Sequence, residues 1–232
     1  MKTKLIISVV ILSLFNTNIY ASNFRFILSD KIKPAFSSAD EANEAKTYCD
    51  TDGLWCESSA KRLFDEGLFE GIKIGKNRYF QPDVEITRGD FLLYLETVAP
   101  AQKSEADAAP FEDFALIPYW QRRVIVDMYN AKVIRGAVEG GKLYSNFDEN
   151  ISRLEAALII SNALNLEKGT DVAYTDSYLI PKYASEGIAS VTKSEIMKGF
   201  SDGSFRPYIK VTRAMLADMI CNIEDFKNRA KK

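Results

Sequence analysis

Three arginines carry the clearest chemical signal in the chain: Arg88, Arg153 and Arg213, each directly preceded by a hydroxyl residue, Thr87, Ser152 or Thr212. A guanidinium is a planar fork of donors suited to a carboxylate. A base placed just after a helix N-cap opposes the positive end of the helix, so its position needs another reason. That reason is either an ion pair within the protein or an external anion, and recurrence at three equivalent places favours the anion. The rest of the composition argues against catalysis. There is no histidine, which excludes Ser-His-Asp, Cys-His and histidine-based metal chemistry. The glycine-rich loops lack the Gly-Lys-Ser/Thr ending of a phosphate-binding loop. Asp50-x-Asp52-Gly53 hints at a calcium loop, but Lys61 stands at the twelfth position, where a bidentate glutamate belongs. The chain therefore reads as a non-enzyme with no cofactor and no metal.

The elements that position the arginines are legible from pattern. Each Thr/Ser-Arg pair starts a helix. Thr87 with Asp90 and Ser152 with Glu155 fit a capping box, while Met215 stands at the matching position of the third helix. Phe91, Leu92, Leu95 and Val98 follow at helical spacing, as do Ala157, Ile160 and Leu164, and Ile220 and Ile223. An earlier helix is expected over 55–69, 120–134 and 183–197. Val124, Ile125, Met128 and Tyr129 mark its buried face. Between the two helices of the last pair, Gly199 reads as a left-handed C-cap, Asp202-Gly203 as a turn, Phe205 as an anchor and Pro207 as a stiff exit.

This arrangement recurs. The Thr/Ser-Arg pairs lie 65 and then 60 residues apart, and Tyr48-Cys49-Asp50, Phe111-Glu112-Asp113 and Tyr174-Thr175-Asp176 open the three units. Phe147 is aligned with Phe80 and Phe205, which leaves the second loop two residues short. The three later helices cannot each bury an apolar face alone, so they are expected to form a central bundle with the first helices and loops as three lobes.

Gly-Phe-Ser-Asp-Gly-Ser-Phe-Arg-Pro (199 to 207) and Ile-Thr-Arg-Gly-Asp-Phe (86 to 91) resemble the S-layer homology family, and the likeness spans Tyr48 to Ile223. The resemblance implies an all-α fold of three helix-loop-helix repeats (48–100, 111–166 and 174–226) in a pseudo-threefold assembly around a central three-helix bundle. It further implies a bacterial cell-envelope anchor whose inter-repeat grooves accept an acidic, commonly pyruvate-modified, cell-wall polysaccharide. The groove residues would be Arg88, Arg153, Arg213, Gly71, Gly136, Gly199, Asp202, Gly203, Asp90 and Glu155. The loops around Arg88 and Arg213 lie nearest the family pattern, so Arg153 is expected to contribute least. Trp55, Trp120 and Tyr183 suit core packing better than sugar stacking. A scaffold that kept the fold without the sugar, with an envelope protein as partner, is the other reading.

The chain ends add context. Lys2 and Lys4 precede the apolar run Leu5 to Phe15 and then Ile19-Tyr20-Ala21, the pattern of an export signal over 1–21. Its removal would shift the formal charge from −2 to −4, leave no transmembrane segment, and leave an acidic chain poorly suited to nucleic acid. Residues 22–47 read as a linker or added helix. Cys49 and Cys56 fit neither a redox pair nor a zinc knuckle, and in an exported chain a local disulfide is expected, with Cys221 unpaired. The location expected is the bacterial surface or envelope, the periplasm included.

Overall fold

The computed structural model describes residues 47–170 and 173–231. The expected export signal over 1–21 and, but for Thr47, the segment 22–47 lie outside these residues. The described fold is mostly helical. In chain order it has α1 (Glu57–Asp65), β1 (Ile72–Ile74), β2 (Asn77–Tyr79), α2 (Arg88–Val98), a 3-10 turn (Phe114–Leu116) and α3 (Tyr119–Asn130). Then come β3 (Ala137–Glu139), β4 (Lys142–Tyr144), α4 (Arg153–Ala163), a second 3-10 turn (Ser177–Leu179), α5 (Lys182–Lys193) and α6 (Arg213–Ala230).

Helices α2, α4 and α6 begin where the sequence places them, each at the arginine that follows a hydroxyl N-cap. Thr87, Ser152 and Thr212 accept from the amides of Asp90, Glu155 and Met215. The reciprocal bond of a capping box is complete at Ser152, where the Glu155 carboxylate accepts from the Ser152 amide at 2.8 Å. Asp90 is one methylene shorter, and its carboxylate instead accepts from Gln121 Nε2 at 3.0 Å.

Helices α1, α3 and α5 stop four residues earlier than their apolar stripes suggest. Each ends in the 6→1 bond of a Schellman turn: Leu68 N to Leu63 O, Val133 N to Met128 O and Ile196 N to Val191 O, at 2.8–2.9 Å. The left-handed residues are Gly67, Lys132 and Glu195, two of them not glycine. The expected C-cap role of Gly199 therefore falls to Glu195. The apolar residues after each helix, Phe69, Ile134 and Met197 among them, stay buried through the turn, which is why periodicity runs past the helix end.

Packing links each helix pair to the next. Helix α3 lies on α2, α5 on α4 and α1 on α6, while α2 also touches α6. Phe91, Leu92, Leu95, Ala157, Ile160, Leu216, Ile220 and Ile223 are buried where these helices meet. Fully burying one such side chain stabilises by about 1.5–3 kcal/mol.

The loops before α2, α4 and α6 share one construction. Asp50 accepts from the Phe80 and Gln81 amides, Asp113 from Ser145 and Asn146, and Asp176 from Phe205 and Arg206, at 2.7–2.9 Å. Gln81, Asn146 and Arg206 all have positive φ, near 50–57°. The counterpart of Phe80 and Phe205 is thus Ser145, not Phe147, and the second loop is the same length as the others. Phe147 takes the place of Pro82 and Pro207. Ser145 Oγ donates to Asp113 at 2.7 Å, a bond that phenylalanine cannot make.

The rings of the opening triplets press on the loop glycines. A Cβ at Gly71, Gly136 or Gly199 would meet Tyr48, Phe111 or Tyr174 at 2.5–2.7 Å. In the first two loops the segment after the glycine forms an antiparallel hairpin, Ile72 opposite Tyr79 and Ala137 opposite Tyr144, which the sequence reading treated as plain loop.

The three loops join in a closed cycle of backbone bonds: Ile86 N to Val211 O, Ile151 N to Ile86 O and Val211 N to Ile151 O, at 2.8–3.1 Å. Isolated bridges pair Glu85 with Thr212, Thr87 with Asn150 and Ser152 with Lys210.

The expected Cys49–Cys56 bond is not formed; Cys49, Cys56 and Cys221 are all free. The Tyr48 ring is buried in the core and Cys49 beside it faces outward, while Cys56 is fully buried at the start of α1. Burial raises the Cys56 thiol pKa and pushes Cys221 up to about 11.

A chain ending at residue 170 should aggregate or melt far below the parent. The truncation opens the backbone cycle and bares the faces of α1 and α4 that α6 and α5 cover. Light scattering and thermal melts check this; a monomer that unfolds like the parent would show that the helix pairs are independent.

Candidate ligand-binding site

The three arginines start α2, α4 and α6, and the amides around them are already used. Arg88 N donates to Glu149 O and Gly89 N to Phe147 O; Arg153 N to Ile209 O and Leu154 N to Pro207 O; Arg213 N to Val84 O and Ala214 N to Pro82 O. With the third amide taken by the N-cap hydroxyl, each helix N-terminus is saturated by the neighbouring loop. An anion would have to be recognised by side chains.

Those side chains cross the same junctions but find different partners. Arg88 Nη2 donates to Glu155 Oε1 in a part-buried ion pair. Arg153 is 5 % exposed; its Nε donates to Phe205 O at 2.9 Å and its Nη2 to Lys198 O at 2.8 Å. Phe200 and Phe205 cover its guanidinium, with ring centroids 4.9 and 4.6 Å from Cζ. Arg213 Nη1 donates to Phe80 O at 2.6 Å, and the guanidinium lies 5.0 Å from the Phe69 ring. A basic residue beside a helix N-terminus is thus explained by carbonyls and a carboxylate of the next loop or helix.

Charge differs accordingly. Burial works against ionisation of Glu155, but Arg88 and the Ser152 hydroxyl and amide outweigh it and hold its pKa below the usual range. Burial raises Asp90. Burial also lowers Arg153, to about 10, although the Tyr174, Asp176 and Asp218 side chains act in the opposite direction; among the described residues no carboxylate hydrogen-bonds it. Arg213 is lowered for the same reason, with the nearby Asp90 charge acting in the opposite direction.

The other candidates are scattered around these junctions. Asp202 is exposed, bonded to the Ser204 amide and hydroxyl and to Arg206, which hold its pKa low. Gly203 has φ +78° and closes the turn to Phe200 O. Gly71, Gly136 and Gly199 are accounted for by the aromatic rings against them. Gln121, absent from the sequence reading, is buried against Gly89 and bonds Asp90; its neighbour Trp120 is partly buried. Trp55 and Tyr183 are 65 % and 72 % exposed, so core packing is ruled out for them. Among the described residues no group of three or more His, Cys, Asp or Glu side chains could hold a metal, and no helix is long and apolar enough to cross a membrane.

Replacement of Arg153 by alanine strands two carbonyls in a buried junction. The expected cost is about 2–4 kcal/mol, or roughly 5–15 °C in Tm. A melt within a degree of the parent would show that the staple is dispensable. Glu155, whose folded pKa is depressed, contributes stability that is present above its unfolded pKa of about 4.3 and is lost as pH falls through the lower folded value. Glu155→Gln should therefore flatten the acid limb of a denaturation curve between roughly pH 5 and 3; an unchanged limb would assign it to other carboxylates.

The family model described as "S-layer homology domain" matches residues 173–214, from the third opening triplet through the start of α6. A 125-residue stretch, 53 % of the chain, is 34 % identical to the "Surface-layer 125 kDa protein" of Lysinibacillus sphaericus, of which it spans 10 %. A 176-residue stretch, 73 % of the chain, is 26 % identical to an "Endoglucanase" of Bacillus sp. (strain KSM-635), of which it spans 18 %. The chain thus spans under a fifth of either relative. Residues 173–214, with the Asp176-clamped loop and the capped start of α6, are an S-layer homology domain.

Proposed function

We propose that the chain is a non-catalytic anchoring module of the cell envelope, built from three tandem S-layer homology repeats (48–100, 111–166 and 174–226). Their arrangement would be pseudo-threefold around α2, α4 and α6, with an acidic cell-wall polysaccharide held in the grooves between neighbours. The observation that carries the reading is the S-layer homology domain at 173–214. The equivalent Asp clamps, ring-covered glycines and closed cycle of backbone bonds support extending that unit to the two preceding segments. Exposed aromatics at the starts of the first helices, Trp55, Tyr119 and Tyr183, suit the apolar faces of sugar rings. With 1–21 as an export signal, the site of action is the bacterial surface or envelope, and no role with nucleic acid is proposed.

One observation favours a second reading, a scaffold for an envelope protein: the arginines bond within the protein. Pull-down with purified cell-wall fractions, before and after acid removal of ketal-linked pyruvate, decides between them. Binding that drops on removal is expected. Equal binding before and after would discard the acidic group as the determinant, and no binding at all would leave the scaffold.

A further inference from the structure

We infer that the basic face of the β1–β2 hairpin, formed by Lys73, Lys76 and Arg78, is a docking surface for an acidic peptide, the stretch Asp40-Glu41-Ala42-Asn43-Glu44 of the same chain. That stretch lies outside the described residues. The surface uses none of the arginines that start α2, α4 and α6, and the inference goes beyond the polysaccharide reading.

The register of the hairpin gathers like charges. Lys73 lies directly opposite Arg78, and Lys76 sits in the two-residue turn between Ile74 and Asn77. Like charges set directly opposite on one face of a hairpin weaken it, and an anion beside them removes that cost. Residues 73–77 are all exposed. Arg78 is placed at its root, with Nη1 donating to Glu70 O at 3.2 Å and the guanidinium 5.6 Å from the Phe64 ring.

The second hairpin shows how such a charge is met. Glu112 N donates to Leu143 O of β4 as Cys49 N donates to Arg78 O of β2, both at 2.8 Å. Glu112 Oε2 then accepts from Lys142 Nζ at 3.1 Å, so the middle residue of the opening triplet brings a carboxylate to the hairpin. In the first unit that residue is Cys49, which brings none. The positions held by Lys73 and Arg78 are Val138 and Leu143 in the second hairpin, so the basic face belongs to the first hairpin alone.

The chain carries the acids a few residues upstream. The Cys49 bond lays the chain beside β2, and Lys73 is one strand further, about 5 Å. At roughly 3.3–3.6 Å per extended residue, Glu44 can reach about 17 Å from Cys49 and Asp40 nearly twice that. Asp40, Glu41 and Glu44 outnumber Lys46, so the stretch is negative where the hairpin is positive. A single exposed ion pair is weak. Several made together, on a tether already anchored by the buried Tyr48, gain from a high local concentration.

Carbodiimide cross-linking of the chain as purified after export, read by peptide mass spectrometry, tests the contact. Amide links from Lys73 or Lys76 to Asp40, Glu41 or Glu44 are expected, and a mixture of unlabelled and 15N-labelled chains should place both ends in one molecule. Links between two molecules would reassign the surface to a second copy and overturn the inference, and so would the absence of links. Hydrogen exchange separates docking from chance encounters of a tethered segment. With Asp40→Asn, Glu41→Gln and Glu44→Gln made together, the amides of residues 73–78 should exchange about threefold to tenfold faster than in the parent, with Tm within a few degrees. Equal exchange in the two proteins overturns the inference whatever the cross-links show.

Discussion

The structure depends on three backbone hydrogen bonds that close on themselves, Ile86 to Val211, Val211 to Ile151 and Ile151 to Ile86. Each loop donates to one neighbour and accepts from the other, so none is complete alone. The flanking amides follow the same rule. The first two N–H groups of α2, α4 and α6, which have no partner within a helix, are satisfied by carbonyls of the adjacent loop. Burying the three helix starts together is possible because of this exchange, since a buried orphan amide costs about 1–3 kcal/mol.

Within that ring, one aspartate and one aromatic residue set each loop. The aspartate accepts two successive amides where the chain turns through positive φ, and the aromatic ring occupies the space a side chain on the loop glycine would need. The second loop shows how tolerant the device is. Ser145 replaces the buried phenylalanine and bonds Asp113, while Leu143 and Phe147 pack against the core from either side. The clamp survives the loss of its anchor because the carboxylate, not the ring, fixes the backbone.

Much of this was legible in sequence, and the failures share a cause. The starts of α2, α4 and α6 were readable because a hydroxyl N-cap is a local signal, as was the recurrence of the aromatic-x-Asp triplets. The ends of α1, α3 and α5 were not, since Lys132 and Glu195 adopt the left-handed conformation without the glycine that would advertise it. Phe147 was misaligned because an aromatic residue beside a loop looks like an anchor, whereas the register is set by Asp113, some thirty residues away in sequence. Spacing and the export signal suggested a disulfide at Cys49, but its side chain faces outward while Cys56 is buried. The arginines were found as a set, but their partners lie 45 to 133 residues away and could not be read locally.

The arginines hold equivalent junctions through different partners. Each guanidinium staples one helix start to the next loop or helix, and the third residue of each long helix varies from Asp90 to Glu155 to Met215. Glu155 has its charge held against Arg88 and its other oxygen completing the Ser152 cap. Arg153 instead donates to two carbonyls, those of Phe205 and Lys198, between two aromatic rings. One fold thus holds junctions with different partners around a common backbone cycle, an ion pair at Arg88 and carbonyls at Arg153.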